Sequence, residues 1–245
     1  MKDYFSGHSK LYATFRPTYP VELYSFILKH VQDQRMAWDC ATGNGQVAGV
    51  LADYFKNVEA TDISQQQLDE AIKKDNIHYS VASAEKTNFK ADSFDLITVA
   101  QALHWFKRDE FFNEVKRVGR AGSLIAVWGY EISTVNESVD EIFMNYYQNI
   151  VGPYWDPARK LVENRYKDIE FPFELISTPE FFMDVRWTLN EYMGYLSTWS
   201  ATQKYIREKG ENPIDKILPA MKTLWHEDET RTVRFPLFIK LGRVK

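Results

Sequence analysis

Apolar residues recur along this chain with two alternating periods, one suited to strands and one to helices. Leu23, Tyr24, Ile27, Leu28 and Val31 stand at helical spacing, and Pro20 suits a first turn, so the leader is expected to be helical. From Met36 onward, short apolar runs alternate with amphipathic stretches. Met36–Cys40, Val58–Thr61, Ile77–Ala82, Phe94–Ala100 and Leu124–Tyr130 read as strands one to five. Between them, Val47, Val50, Leu51 and Phe55 make one helical stripe and Leu68, Ala71 and Ile72 a second. Phe111, Phe112, Val115 and Val118 make a third. Ser64 with Gln67 has the capping-box spacing that opens a helix. Gly119–Arg120–Ala121–Gly122 reads as the turn into strand five. This alternation predicts an α/β fold, a mainly parallel sheet with helices on both faces.

The alternation stops after Tyr130. From Asp140 to Ser200 lie 14 of the chain's 37 aromatic residues, well over a third in a quarter of the length. Phe181–Trp187 reads as a sixth strand and Thr230–Leu241 as a seventh, with a helical pattern at Ile214, Ile217, Leu218, Met221 and Trp225. The expected organisation is a helical N-terminal cap (1–35), a Rossmann-like core (36–130), an aromatic-rich insertion over the active-site side (131–178), and a C-terminal completion of a seven-stranded sheet (179–245). The aromatics of the insertion serve either a small core of its own or a substrate pocket.

Composition narrows the function. A chain of 245 residues with 44% hydrophobic and 26% charged residues suits one large α/β domain bearing an insertion. Its net charge of −4 argues against a protein whose main task is gripping nucleic acid. The single cysteine, Cys40, excludes an intramolecular disulfide. The start, Met1 to His8, has no apolar signal core, and no run approaches ~18 consecutive apolar residues. A cytoplasmic protein without a membrane span is expected. The histidines, at 8, 30, 78, 104 and 226, show no metal-ligand spacing, so no metal is expected. No G-x-S-x-G elbow is present.

The chemistry concentrates where strand one ends. Asp39–Cys40–Ala41–Thr42–Gly43–Asn44–Gly45 runs from a strand through a glycine-bearing turn into a helix, which brings bare backbone against a nucleoside-type ligand. Asp62 lies 17 residues past Gly45, where a second parallel strand presents a carboxylate to a ribose diol. Gly43 to Ala48 also satisfies the dinucleotide pattern G-x-G-x-x-G/A, so the glycines alone do not choose the cofactor. Three features favour S-adenosylmethionine. Asp39 would repel a pyrophosphate and attract a sulfonium or ammonium. The loop has no lysine or arginine, and a helical leader precedes strand one. An NAD(P)-dependent oxidoreductase of similar fold and a non-catalytic cofactor-binding protein stand as the alternatives.

The same run resembles motif I of the class I S-adenosylmethionine-dependent methyltransferases, D-x-G-x-G-x-G, with Ala41 at the first glycine. A methyl group is tolerated there if the backbone keeps ordinary dihedrals. The resemblance continues through Ala60–Thr61–Asp62–Ile63–Ser64, Ala82–Ser83–Ala84–Glu85, Phe94–Asp95–Leu96–Ile97 with Ala100–Gln101–Ala102–Leu103–His104–Trp105, and Arg117 to Gly122. Ser83 stands where an aspartate is common. The leader, Phe5 to Tyr12 and Phe15–Arg16–Pro17–Thr18–Tyr19–Pro20, is similar to a small-molecule branch that includes fungal-type trans-aconitate methyltransferases.

The resemblance implies a methyltransferase with these roles. Tyr12 and Arg16 would take the methionine carboxylate, and Ala41, Thr42, Gly43, Asn44 and Gly45 would surround the methionine part. Asp39 would act through the ammonium or by holding the loop's amides. Asp62 with Ile63 would hold the ribose, and Ser83, Ala84 and Glu85 would face the adenine. Ala100, Gln101 and Trp105 would complete the cofactor site. Gln101 and His104 are the candidate catalytic residues, His104 either as a general base or as a packing wall of the pocket. The acidic balance, and the lack of an N-P-P-Y-like tetrapeptide after strand four, point to a small organic acceptor. A carboxylate is the specific expectation, paired with a cation such as Arg159, Lys160, Arg165 or Arg186.

Overall fold

The computed structural model describes residues 17–244. Helix α1 (Val21–His30) buries Leu23, Tyr24 and Ile27, the stripe its sequence sets out. Strands β1 (Met36–Cys40), β2 (Asn57–Asp62), β3 (Ile77–Val81), β4 (Phe94–Ala100) and β5 (Gly119–Tyr130) follow, joined by helices α2 (Gln46–Leu51), α3 (Gln65–Asp69) and α4 (Arg108–Val118). Then come β6 (Glu174–Ile176), β7 (Phe181–Trp187) and β8 (Arg231–Arg243). The sheet order is β3-β2-β1-β4-β5-β8-β6, with β7 also on β8. The first five strands are parallel, and β8 runs antiparallel to its neighbours.

Eight strands replace the seven expected. β6 and β7 lie along one side of β8, with Ile176 opposite Leu241 and Phe181 opposite Leu237. Residues 177–180 span a gap that β8 crosses with one residue fewer, and Pro179 has no N–H to give to a ladder. β6 therefore falls within the stretch expected to be insertion. β5 also starts earlier than expected, at Gly119. Phe94 pairs with Gly119 but Leu96 with Leu124, so the segment expected as a turn joins the strand through a register shift, at which Gly122 takes φ +79°.

The sheet divides the interior in two, as its period-two side chains require. Along β5, Leu124, Ala126, Trp128 and Tyr130 face one core and Ile125 and Val127 the other. The first core contains α1, α2 and a layer of helices α5 (Glu137–Asn145), α7 (Leu189–Ser197), α8 (Ser200–Lys209) and α9 (Leu218–Leu224). The second contains α4 and the segment after α6 (Arg159–Glu163). The aromatics of 131–178 do not form a core of their own. Phe143 and Tyr147 each meet Trp199 at 5.8 Å, and Trp155 meets it at 5.3 Å. Edge and tilted contacts of this kind add about 0.5–1.5 kcal/mol each beyond area burial. Among the described residues, no helix is long and apolar enough to cross a membrane.

The strand order reverses between β1 and β4. The chain leaves these neighbours in opposite directions, which opens a crevice at their carboxyl ends.

Candidate active site

From Cys40 the chain turns through Ala41 (φ +56°), Gly43 (φ +57°) and Gly45 (φ +77°) into α2. Asp39 organises this loop from beneath. Its Oδ2 accepts from the Thr42 hydroxyl and from Ala48 N (3.1 Å), and its Oδ1 from Thr98 Oγ1 (2.8 Å). Burial raises its pKa to about 6, outweighing the hydrogen bonds that lower it. Of the two roles expected of Asp39, holding the loop is the one its hydrogen bonds display. Ala41 departs from expectation: it does not keep ordinary dihedrals, and a left-handed alanine costs roughly 1 kcal/mol. Gly45 is demanded twice, by its positive φ and by crowding. A Cβ there would come within 2.2 Å of the Tyr79 phenol oxygen, which donates to Ile72 O at 2.6 Å. At Gly43 an added Cβ would meet nothing nearer than 3.9 Å, so the space above its backbone is open.

That space belongs to a cleft open to solvent at the carboxyl ends of β1 and β4. Asp39, Ala41, Thr42, Gly43 and Asn44 line one side, and Ala100 and Gln101, at the end of β4, line the other. Tyr19, Gln46, Val47 and Tyr130 also line it and were not foreseen. No lysine or arginine is among its described lining residues, and the one charged group is the Asp39 carboxylate. A lining of this sign favours a cationic sulfonium over a pyrophosphate.

Asp62 is tied to the loop from the side. Its Oδ2 accepts from Gly43 N and its Oδ1 from Ser64 N, both at 2.9 Å. Ser64 Oγ accepts from Gln67 N as expected, while the Ser64 N–H goes to Asp62. A carboxylate offers about four lone-pair sites, more than these two bonds use. Gly45, Asp62, Ile63, Ser83, Ala84 and Glu85 do not line the described cleft. Ala84 is buried in the core with Trp38 and Cys40. Glu85 accepts from the Ser83 hydroxyl and from Lys107 N (3.0 Å). Burial alone would raise its pKa, but these bonds prevail and lower it. Tyr12 and Arg16 lie outside the described residues.

A second cavity of about 590 Å³ adjoins the first, and Gln101 and Tyr130 line both. Gln101 takes φ +53°, with its N donating to Trp128 O (2.9 Å) and its Nε2 to Tyr130 O (3.2 Å). Ala41 and Gln101 thus place left-handed non-glycine residues at the carboxyl ends of β1 and β4, the strands that flank the crevice. Such conformations concentrate at functional sites. His104 and Trp105 line the second cavity with Trp155, Asp156, Arg159 and Trp199. Trp105, expected against the cofactor, is therefore on the far side of Gln101.

The four candidate cations separate. Arg165 pairs with Glu131 at 3.0 Å, Arg186 donates to Thr230 Oγ1 at 2.8 Å, and Lys160 sits exposed on an outer groove. Arg159 alone of the four lines the second cavity. Its guanidinium lies 4.9 Å from the Trp155 ring centroid, its Nε donates to the Tyr147 phenol (3.3 Å), and it has no carboxylate ion pair among the described residues. His104 is 2.9 Å, through Nδ1, from the Tyr166 phenol oxygen. Burial, and then Arg159, push its pKa down to about 3 against a smaller rise from Asp156. No metal-holding cluster occurs among the described residues.

A family model described as a methyltransferase domain matches residues 38–127. A Dictyostelium discoideum protein named "putative methyltransferase" is 35% identical over 249 residues, covering 98% of this chain and 95% of that protein. The chain belongs to the class I S-adenosylmethionine-dependent methyltransferases. A solved structure of a "putative type II methyltransferase" from Anaeromyxobacter dehalogenans has 34% identity and a TM-score of 0.87, covering 94% of this chain and 98% of that one. A Saccharomyces cerevisiae protein named "probable S-adenosylmethionine-dependent methyltransferase" is 24% identical, over 92% of this chain and 89% of that protein. Membership makes S-adenosylmethionine the cofactor of this methyltransferase, and the nicotinamide alternative falls. The residues least visible in the sequence are those of the second cavity. Tyr130 could have been found from its place at the carboxyl end of a parallel strand, whereas Trp155, Asp156 and Trp199 carry no local motif.

Proposed function

We propose that this methyltransferase acts on a small organic molecule with an anionic oxygen, a carboxylate being the simplest case. On this reading the cofactor lies in the cleft between β1 and β4 and the acceptor in the cavity beyond Gln101 and Tyr130. The observation that carries it is the junction of the two cavities at those residues, with Arg159 unpaired by any described carboxylate on the acceptor side.

Bound S-adenosylmethionine supplies a methyl group already activated on a sulfonium sulfur. The chain's residues then hold, orient and exclude water. Asp62 would accept the ribose hydroxyls while bracing Gly43, and Asp39 would set the loop and attract positive charge. The segment after Tyr130, with α7 and α8, would cover the acceptor with aromatic side chains. Nothing in the second cavity requires His104 to take a proton. An imidazole with a pKa near 3 is a poor base at neutral pH, and an ionised carboxylate needs none. The concave, partly aromatic cavity suits a small acceptor better than a nucleic acid strand.

A screen of small acids, phenols and amines with a labelled methyl donor tests the reading. Labelled ester from an acid, with little product from phenols or amines, is the expected outcome. Transfer to an amine or phenol in preference to every acid would overturn the carboxylate assignment. Calorimetry with S-adenosylhomocysteine on the same preparation checks the donor site separately.

A further inference from the structure

Arg165 (φ +54°) and Tyr166 (φ +55°) are two consecutive left-handed residues just past α6. Bulky side chains rarely adopt this conformation, and the surroundings impose it. Glu131 holds Arg165, Tyr166 N donates to Leu161 O (2.8 Å), and the Tyr166 ring meets Phe238 edge-on at 5.1 Å. The consequence is the placement of the phenol. Tyr166 is completely buried, and its oxygen is 2.9 Å from His104 Nδ1 across 62 positions of sequence. His104 Nδ1 is the one hydrogen-bond partner of this oxygen among the described residues.

A buried phenol must donate its hydrogen, and Nδ1 is the one acceptor within its reach among the described residues. The imidazole is neutral, so its one ring hydrogen then sits on Nε2. Nε2 has no partner among the described residues, yet it is not among the enclosed unpaired atoms. His104 lines the second cavity, and Nε2 is the ring atom left to face it, beside Arg159 and Asp156.

We propose that Tyr166 is a positioning residue that fixes His104 as the Nε2–H tautomer, so that His104 meets the acceptor as a neutral hydrogen-bond donor. The inference rests on the second cavity being the acceptor site and deepens it. The substrate must present an oxygen lone pair to Nε2–H and negative charge to the Arg159 guanidinium. A carboxylate or carbonyl beside an anionic group meets both demands. A protonated amine meets neither.

Two-bond proton–nitrogen correlation spectra of the 15N-labelled protein test this directly, with His104 assigned by the signals lost in His104→Gln. The expected result is the Nε2–H pattern from about pH 5 to pH 8, giving way to a tautomer mixture in Tyr166→Phe. An Nδ1–H pattern, an imidazolium at neutral pH, or an unchanged tautomer in Tyr166→Phe would overturn the proposal. If Tyr166→Phe does not fold, the wild-type spectrum decides alone. Calorimetry with S-adenosylhomocysteine on the same samples separates the two claims. The tautomer can fail while donor binding stands, and loss of donor binding in wild type would undo the site assignment itself. With an acid acceptor in hand, Tyr166→Phe should raise KM several-fold and leave donor affinity unchanged.

Discussion

The cleft proposed for the cofactor is made of strand ends and bare backbone: Asp39 to Asn44, then Ala100 and Gln101, with left-handed residues at both strands that flank the crevice. The cavity proposed for the acceptor is made of side chains delivered by separate segments, from Gln101 and His104 through Trp155 and Arg159 to Trp199. The first depends on dihedral angles and hydrogen bonds to main chain, which tolerate few residue types. The second depends on packing, in which many aromatic arrangements would close a cavity.

The sharpest way to break the comparison is to deny the first half its backbone. Gly45→Ala should lose about 3 kcal/mol of stability, combining a left-handed penalty of about 1–2 kcal/mol with overpacking against Tyr79. Urea unfolding would read this, and a variant as stable as wild type would show that the loop is not set as described.

Asp39 gives a pH signature opposite in sign to that of His104, whose depressed pKa makes stability rise with pH. Its carboxyl keeps its proton to about pH 6 when folded and releases it near 3.8 when unfolded, so between these values the folded state binds more protons. Stability therefore falls as pH rises through that window, by about 2–3 kcal/mol from this residue. In Asp39→Asn this contribution should vanish, so the difference between variant and wild-type unfolding curves should tilt between pH 4 and 6. Parallel pH dependences would remove Asp39 from the account.

Arg159→Met probes the other half. It should raise KM for an acid acceptor roughly thirtyfold, about 2 kcal/mol for a charge-assisted contact, with donor affinity intact. A matching loss of donor affinity would mean that the halves are not separable. The smallest effect runs in the opposite direction. Ala41→Gly should raise stability by about 1 kcal/mol in thermal unfolding, because it relieves a left-handed alanine.

The same contrast explains what the sequence made legible. The parallel strands and the loop after β1 could be read because each is written in a short segment with its own physical demand. Gly45 must be a glycine, and β1 must end where Asp39 can turn the chain. The extra strand β6 could not be read. It is three residues long and is defined by its partner in β8. The dihedrals of Ala41 and Gln101 were invisible because residue type argued against them. The shared aromatic core of α5, α7, α8 and α9 was foreseen as a concentration of rings, but which ring would face a cavity depends on packing across some 50 residues. Among the four cations proposed for an acid, only the folded chain separates Arg159 from Arg165, whose charge is spent on Glu131.

The most direct test is a crystal structure with S-adenosylhomocysteine bound. The account predicts the adenosine between the β1 loop and Asp62, and the sulfur at Gln101 and Tyr130, turned toward the cavity of His104 and Arg159. A sulfur directed away from that cavity, or an acceptor cavity walled off from it by Gln101, would contradict the account.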